Sequence, residues 1–179
     1  MAGFRNEQVA FEAPEGWEDK TIVAFAAPVS PGKFSPNIVM TKDVLKPGET
    51  LRSYADRQIM ELARRLEGFD LVESGDRVVG GLTALEYRFT WTSEHAELHQ
   101  HTVMLAPRER VMTFTGTATH EDDANLDAAM DQLLSTISFP EQPGYSPYGT
   151  GGGAPPPAAP AGGGGWTSSG GGWTPAGGR

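Results

Sequence analysis

The sequence predicts an α+β fold: a mostly antiparallel sheet of six to seven strands, with two helices packed on one face. Three observations carry this. Strand-like stretches with period-two alternation dominate the middle of the chain, two stretches with three- and four-residue apolar spacing flank them, and Gly/Pro turns separate the strands. The clearest alternation runs over residues 84–92, where Leu85, Tyr87, Phe89 and Trp91 point one way and Ala84, Glu86, Arg88 and Thr90 the other.

In chain order, a short strand over residues 9–13 runs into Pro14, Glu15 and Gly16, whose backbone chemistry reverses the chain into a second strand over 20–26. Trp17 is too large and apolar to stand in water and is expected to cover the edge of a core. A Pro/Gly loop leads to a third strand at 37–41, antiparallel to the second. Thr50 is a plausible N-cap for a helix over 51–67, whose apolar stripe is Leu51, Ala55, Ile59, Leu62 and Leu66. Residues 69–79 read as strand broken by a turn at Ser74, Gly75 and Asp76, and Gly80 and Gly81 separate it from the strand at 84–92. Strands over 98–106 and 111–119 follow. The second helix opens on Asp122 and Asp123, where the dipole favours them. It carries Leu126, Met130, Leu133, Leu134 and Ile137 on one face and is closed by Pro140.

The folded part is expected to span residues 1–143. Residues 144–179 are almost wholly Gly, Pro, Ala, Ser and Thr, with Arg179 the only charge, a composition that cannot bury enough apolar surface to offset the entropy of ordering. This tail is read as a disordered extension, in which Gly-Gly-Gly-Trp-Thr occurs twice, around Trp166 and Trp173. The formal net charge is −9, and removing the +1 of Arg179 leaves −10 on the folded part. That balance argues against a nucleic-acid partner and against docking on anionic lipid. There is no cysteine, hence no disulfide, thiolate metal site or Cys nucleophile. No signal-peptide-like apolar segment opens the chain, and no window reaches the ~18 to 20 apolar residues of a membrane span, so a cytoplasmic protein without direct membrane anchoring is expected.

Catalytic chemistry finds little support. His95, His99 and His101 crowd together, but His95-Ala-Glu-Leu-His99 is not H-E-x-x-H and lies in strand, so solvated strand histidines are expected rather than a metal site. Neither a G-x-S-x-G elbow nor a phosphate-binding glycine pattern occurs. No catalytic residue, metal or cofactor is expected, and the protein is read as a non-enzyme. Gln58 and Gln100 stand out because each lies among apolar neighbours, where an unpaired amide costs about 1 to 3 kcal/mol. Each either bonds a neighbouring loop or meets a bound partner. With two helices on one face, the other face of the sheet, carrying Ile22, Ala24, Leu98 and Gln100, is left half-apolar, as a binding surface or dimer interface requires.

The opening F-x-x-P-x-x-W-x-D-x-T, formed by Phe11, Pro14, Trp17, Asp19 and Thr21 ahead of an apolar strand, resembles that of the DcrB-like family. It is most similar to the Eag-type chaperones of type VI secretion effectors. The resemblance implies a DcrB-like, Mog1/PsbP-like fold. It also implies a cytoplasmic homodimer that shields the N-terminal transmembrane helices of Rhs- or PAAR-containing effectors before loading. On the matching positions it implies a client-binding surface of Ile22, Ala24, Gln58 and Gln100, with Ala24 smaller than the branched residue expected there; Leu62 and Leu98, the apolar neighbours of the two glutamines, are read as part of the same surface. The alternative is a non-catalytic homodimeric structural or adaptor module of the same fold.

Overall fold

The computed structural model describes residues 3–5, 10–12, 15, 20–29, 31, 33–139, 166–169 and 172–175. The chain divides into two units, Met1–Ile137 and Ser138–Arg179. In the first, β1 (Gly3–Arg5) and β2 (Ala10–Glu12) form a separate antiparallel pair. The main sheet is built from β3 (Val23–Ala26), β4 (Asn37–Val44), β5 (Asp70–Val79), β6 (Leu82–Thr92), β7 (Glu97–Leu105) and β8 (Arg110–Thr119). Its order is β3-β4-β8-β7-β6-β5, with every neighbouring pair antiparallel. The helices are α1 (Leu51–Arg65) and α2 (Asp123–Ser135). In the second unit, β9 (Trp166–Ser169) and β10 (Gly172–Pro175) pair antiparallel, with Trp166 opposite Pro175 and Trp173 opposite Ser168.

The α+β class, the six-stranded antiparallel sheet and the two helices match the sequence. Three details differ. The strand expected near residue 9 pairs with β1, upstream, rather than forming a hairpin with β3. The turn expected at Ser74, Gly75 and Asp76 is absent: these residues pair with Tyr87, Glu86 and Leu85, and β5 runs through them. A complete ladder to β6 overrides local turn chemistry, and the only irregularity is a bulge between Leu71 and Glu73. The real reversal is at Gly80 and Gly81, both at positive φ (55° and 82°), as a two-residue hairpin demands.

The third difference concerns the helices, which occupy opposite faces of the sheet instead of sharing one. Thr50 caps α1 as expected: its hydroxyl accepts from the Ser53 N–H at 3.2 Å, and Ser53 Oγ accepts from the Thr50 N–H at 3.0 Å. Tyr54 and Ala55 of α1 join a core with Leu85, Tyr87, Phe89, Trp91, Leu98, Met104 and Val111. The alternate register, with Ala84, Val103, Leu105, Phe114 and Ala118 buried, belongs to the other face, which takes α2. There Leu126 and Met130 come so close to β8 that a Cβ on Gly116 would lie 2.9 Å from Leu126 Cδ1, so any larger residue would push these side chains aside. Each helix has a single apolar stripe while the sheet has two apolar faces, so one helix per face buries more surface than two on one.

Candidate functional site

Cross-strand register fixes what lies beside α1. One row reads Ala24, Val39, Thr115, Thr102 and Tyr87 across β3, β4, β8, β7 and β6; the next reads Ala26, Asn37, Thr117, Gln100 and Phe89. Ile22, two residues before Ala24, belongs to the same face by alternation. α1 packs over the β6 and β7 end of these rows. The β3, β4 and β8 end has Ala24 and Ala26 exposed, Ile22, Asn37, Thr41, Thr113 and Thr115 half-buried, and Val39 and Thr117 as a buried floor.

The sequence-derived site residues therefore separate. Ile22, Ala24, Leu98 and Gln100 share one face of the sheet, but it is the face that carries α1 and not, as expected, a face free of helices, because each face takes one helix. Leu98 is a core residue. Leu62 is half-buried against the same core. Gln100 is buried and its Nε2 donates to Thr117 Oγ1 at 3.0 Å, so part of its hydrogen-bonding capacity is met within the sheet. Gln58 is half-buried on α1 and Ala24 is exposed at the sheet edge, separated from Gln100 by β4 and β8. Thr21 is half-buried just ahead of β3, and Phe11 lies in β2 opposite Phe4. Pro14, Trp17 and Asp19 lie outside the described residues.

Sequence reasoning missed the threonines. Met112-Thr-Phe-Thr-Gly-Thr-Ala-Thr119 alternates strictly, so Thr113, Thr115, Thr117 and Thr119 all point to the α1 face, and Thr102 and Thr41 join them from β7 and β4. Period-two spacing is the signal that marks them. The resulting surface mixes small apolar side chains with hydroxyls that can donate or accept, which suits a mainly apolar partner carrying a few polar groups.

The opposite face holds charge. His101, expected to be solvated, is fully buried, with Nε2 2.6 Å from Glu86 Oε1 and Nδ1 2.8 Å from Asp127 Oδ1. Arg77 bridges Glu86 and Asp131, and Arg88 reaches Glu73, Glu86 and Asp127. Burial works against the Glu86 charge, but hydrogen bonds from His101 and Arg77 and the nearby Arg88 outweigh it and hold the carboxyl below its usual range. The cluster ties α2 to β5, β6 and β7. Among the described residues no group of three or more His, Asp or Glu is arranged to hold a metal ion. On the outer side of α1 an open depression of about 450 Å³ is lined by Ser53, Asp56, Arg57, Met60, Glu61 and Arg64, all from one helix. No described helix is long and apolar enough to cross a membrane.

The chain is 26% identical over 137 residues to a Pseudomonas aeruginosa protein named Effector EagT6, the match covering 76% of this chain and 95% of that one. The crystal structure of a Pseudomonas aeruginosa protein of unknown function, PA94, described as a putative regulator, superposes with a TM-score of 0.69 at 25% identity. That match covers 79% of this chain and 99% of the other. The solution structure of cyanobacterial PsbP from Synechocystis sp. PCC 6803 overlaps more loosely, with a TM-score of 0.46 at 14% identity, over 71% of this chain and 84% of that one. The family model described as DcrB matches residues 9–136, most of the chain, and this protein belongs to the DcrB family.

Proposed function

We propose that this protein is a cytoplasmic, homodimeric chaperone of a type VI secretion effector. It binds the effector's apolar N-terminal segment, the transmembrane helices of an Rhs- or PAAR-containing protein, and does no chemistry. The carrying observation is the half of the α1 face that no described helix covers. There, exposed Ala24 and half-buried Ile22 border a floor of Val39 and threonine hydroxyls, with Gln58 on α1. A transmembrane helix presents small and aliphatic side chains with occasional polar groups, and a surface that screens it from water needs the same mixture. The likeness to Effector EagT6 over nearly its whole length supports the reading, as do the Phe11 to Thr21 opening and the acidic charge, which disfavours nucleic acid and anionic lipid. On this reading, Leu62, Leu98 and Gln100 hold the floor and wall in shape, while Ile22, Ala24 and Gln58 meet the client.

Co-expression with the N-terminal segment of a candidate effector tests the proposal. The segment is expected to stay in solution with the wild-type protein and to precipitate with Ala24→Asp, whose side chain at an exposed edge leaves the fold intact. A segment no more soluble with the wild-type protein than alone overturns the reading.

A further inference from the structure

β5 ends the sheet on one side and β3 on the other, and the two edges are unlike. β3 has four residues, whereas β5 has ten, about 33 Å of strand bonded to β6 alone among the described strands. A long edge invites pairing with another chain unless lysine, proline, an edge-facing charge or a bulge guards it, and the bulge of β5 lies at its start, between Leu71 and Glu73, leaving residues 73–79 in regular register. β5 contains neither lysine nor proline, and Arg77 is drawn to Glu86 and Asp131 on the α2 side. Its Leu71, Val72 and Val78 are 42%, 61% and 74% exposed.

We infer that β5 pairs with β5 of a second copy of this chain, antiparallel about a two-fold axis at Gly75, joining two six-stranded sheets into one. The occupant follows from the self-complementarity of the strand. With Gly75 opposite Gly75, Ser74 faces Asp76, Glu73 faces Arg77, and Val72, at the bulge, comes opposite Val78. Opposite charges meet, apolar residues meet, and no like charges face each other. Other registers lose this. Centring on Asp76 sets two aspartates together, centring on Ser74 puts Val72 against Asp76, and a half-step shift toward Ser74 sets Glu73 against Asp76. Glu73 and Arg77 lie on the α2 face, because they pair with Arg88 and Ala84 across β6. The Glu73 side chain is 65% exposed and so can reach a second guanidinium. At Gly75 a Cβ would have nothing within 4 Å, so nothing within the protomer obstructs the axis. The inference rests on the homodimeric part of the proposed function and is independent of the client.

The full chain has no cysteine, so an introduced thiol is unique. Gly75→Cys sets two thiols on facing residues whose Cα atoms are about 4.5 to 5.5 Å apart, within disulfide reach. In the same dimer Val78→Cys sets its thiols six residues out of register, about 20 Å apart. The expected result is a mass near twice 19.1 kDa by sedimentation equilibrium, rapid oxidative cross-linking of Gly75→Cys and none of Val78→Cys. Val78→Lys, at a side chain standing in water, is expected to weaken the dimer at least ~tenfold with the thermal midpoint of the monomer kept. A monomeric wild-type protein overturns both this inference and the homodimer. A dimer that ignores Val78→Lys and leaves Gly75→Cys uncross-linked overturns the β5 pairing alone.

Discussion

The two faces of one sheet hold their helices by different physics. α1 is held by apolar burial: Phe89 is fully buried, its ring 5.0 Å from that of Phe69, under Tyr54 and Ala55. α2 buries Leu126, Met130 and Leu134, but beside them a fully buried histidine stands between two carboxylates flanked by two arginines. Apolar burial is non-directional and nearly independent of pH, whereas a buried charge cluster is directional and retains its worth only while every member is paired. One face gives bulk stability. The other fixes where a helix sits.

The contrast can be broken on the α1 side first. Phe89→Ala is expected to cost about 3–5 kcal/mol, read by chemical denaturation, because the site cannot collapse around so large a void. His101→Ala comes next, at about 2–3 kcal/mol. That figure stands below the range for a fully buried pair because Glu86 and Asp127 side chains remain 16% and 30% exposed. Its signature distinguishes it: amide exchange should accelerate across α2 before α1. Thr50→Ala should cost about 1 kcal/mol and loosen only the first turn of α1.

The smallest effect sharpens the comparison through pH. The folded-state pKa of Glu86 is depressed, so its stabilising contribution is fully present above its ordinary value of 4.5 and is lost as pH falls through the folded value. Acid is therefore expected to reduce protection of α2 relative to α1 as pH drops below about 4.5, and Glu86→Gln should flatten that part of the profile. Equal loss on both helices would remove the distinction between the faces. On the α1 side the Tyr54 phenol is pushed up by burial and by Asp43, whose Oδ2 accepts its hydrogen bond at 3.0 Å, so the phenol keeps its proton throughout the acid range.

Strand alternation alone makes both faces of β6 readable, and the spacing of Leu51 to Leu66 with Thr50 ahead of it does the same for α1. These are local signals, set by backbone period and by a capping box of four residues, Thr50 to Ser53. The candidate surface is legible in part: alternation puts Ile22 and Ala24 on a common face with Gln100, and the threonines of β8 follow the same period. What the sequence does not decide is matching. A helix stripe and a sheet with two apolar faces leave open which meets which, and only the competition for burial puts α1 and α2 on opposite sides. The same holds for Ser74, Gly75 and Asp76, whose turn chemistry yields to a partner strand. It holds also for His101, which alternation marks as polar but which becomes an interior residue because Asp127, 26 positions along the chain, brings it a carboxylate. Periodicity is written within a segment; the satisfaction of a buried charge depends on groups that only folding brings within about 3 Å.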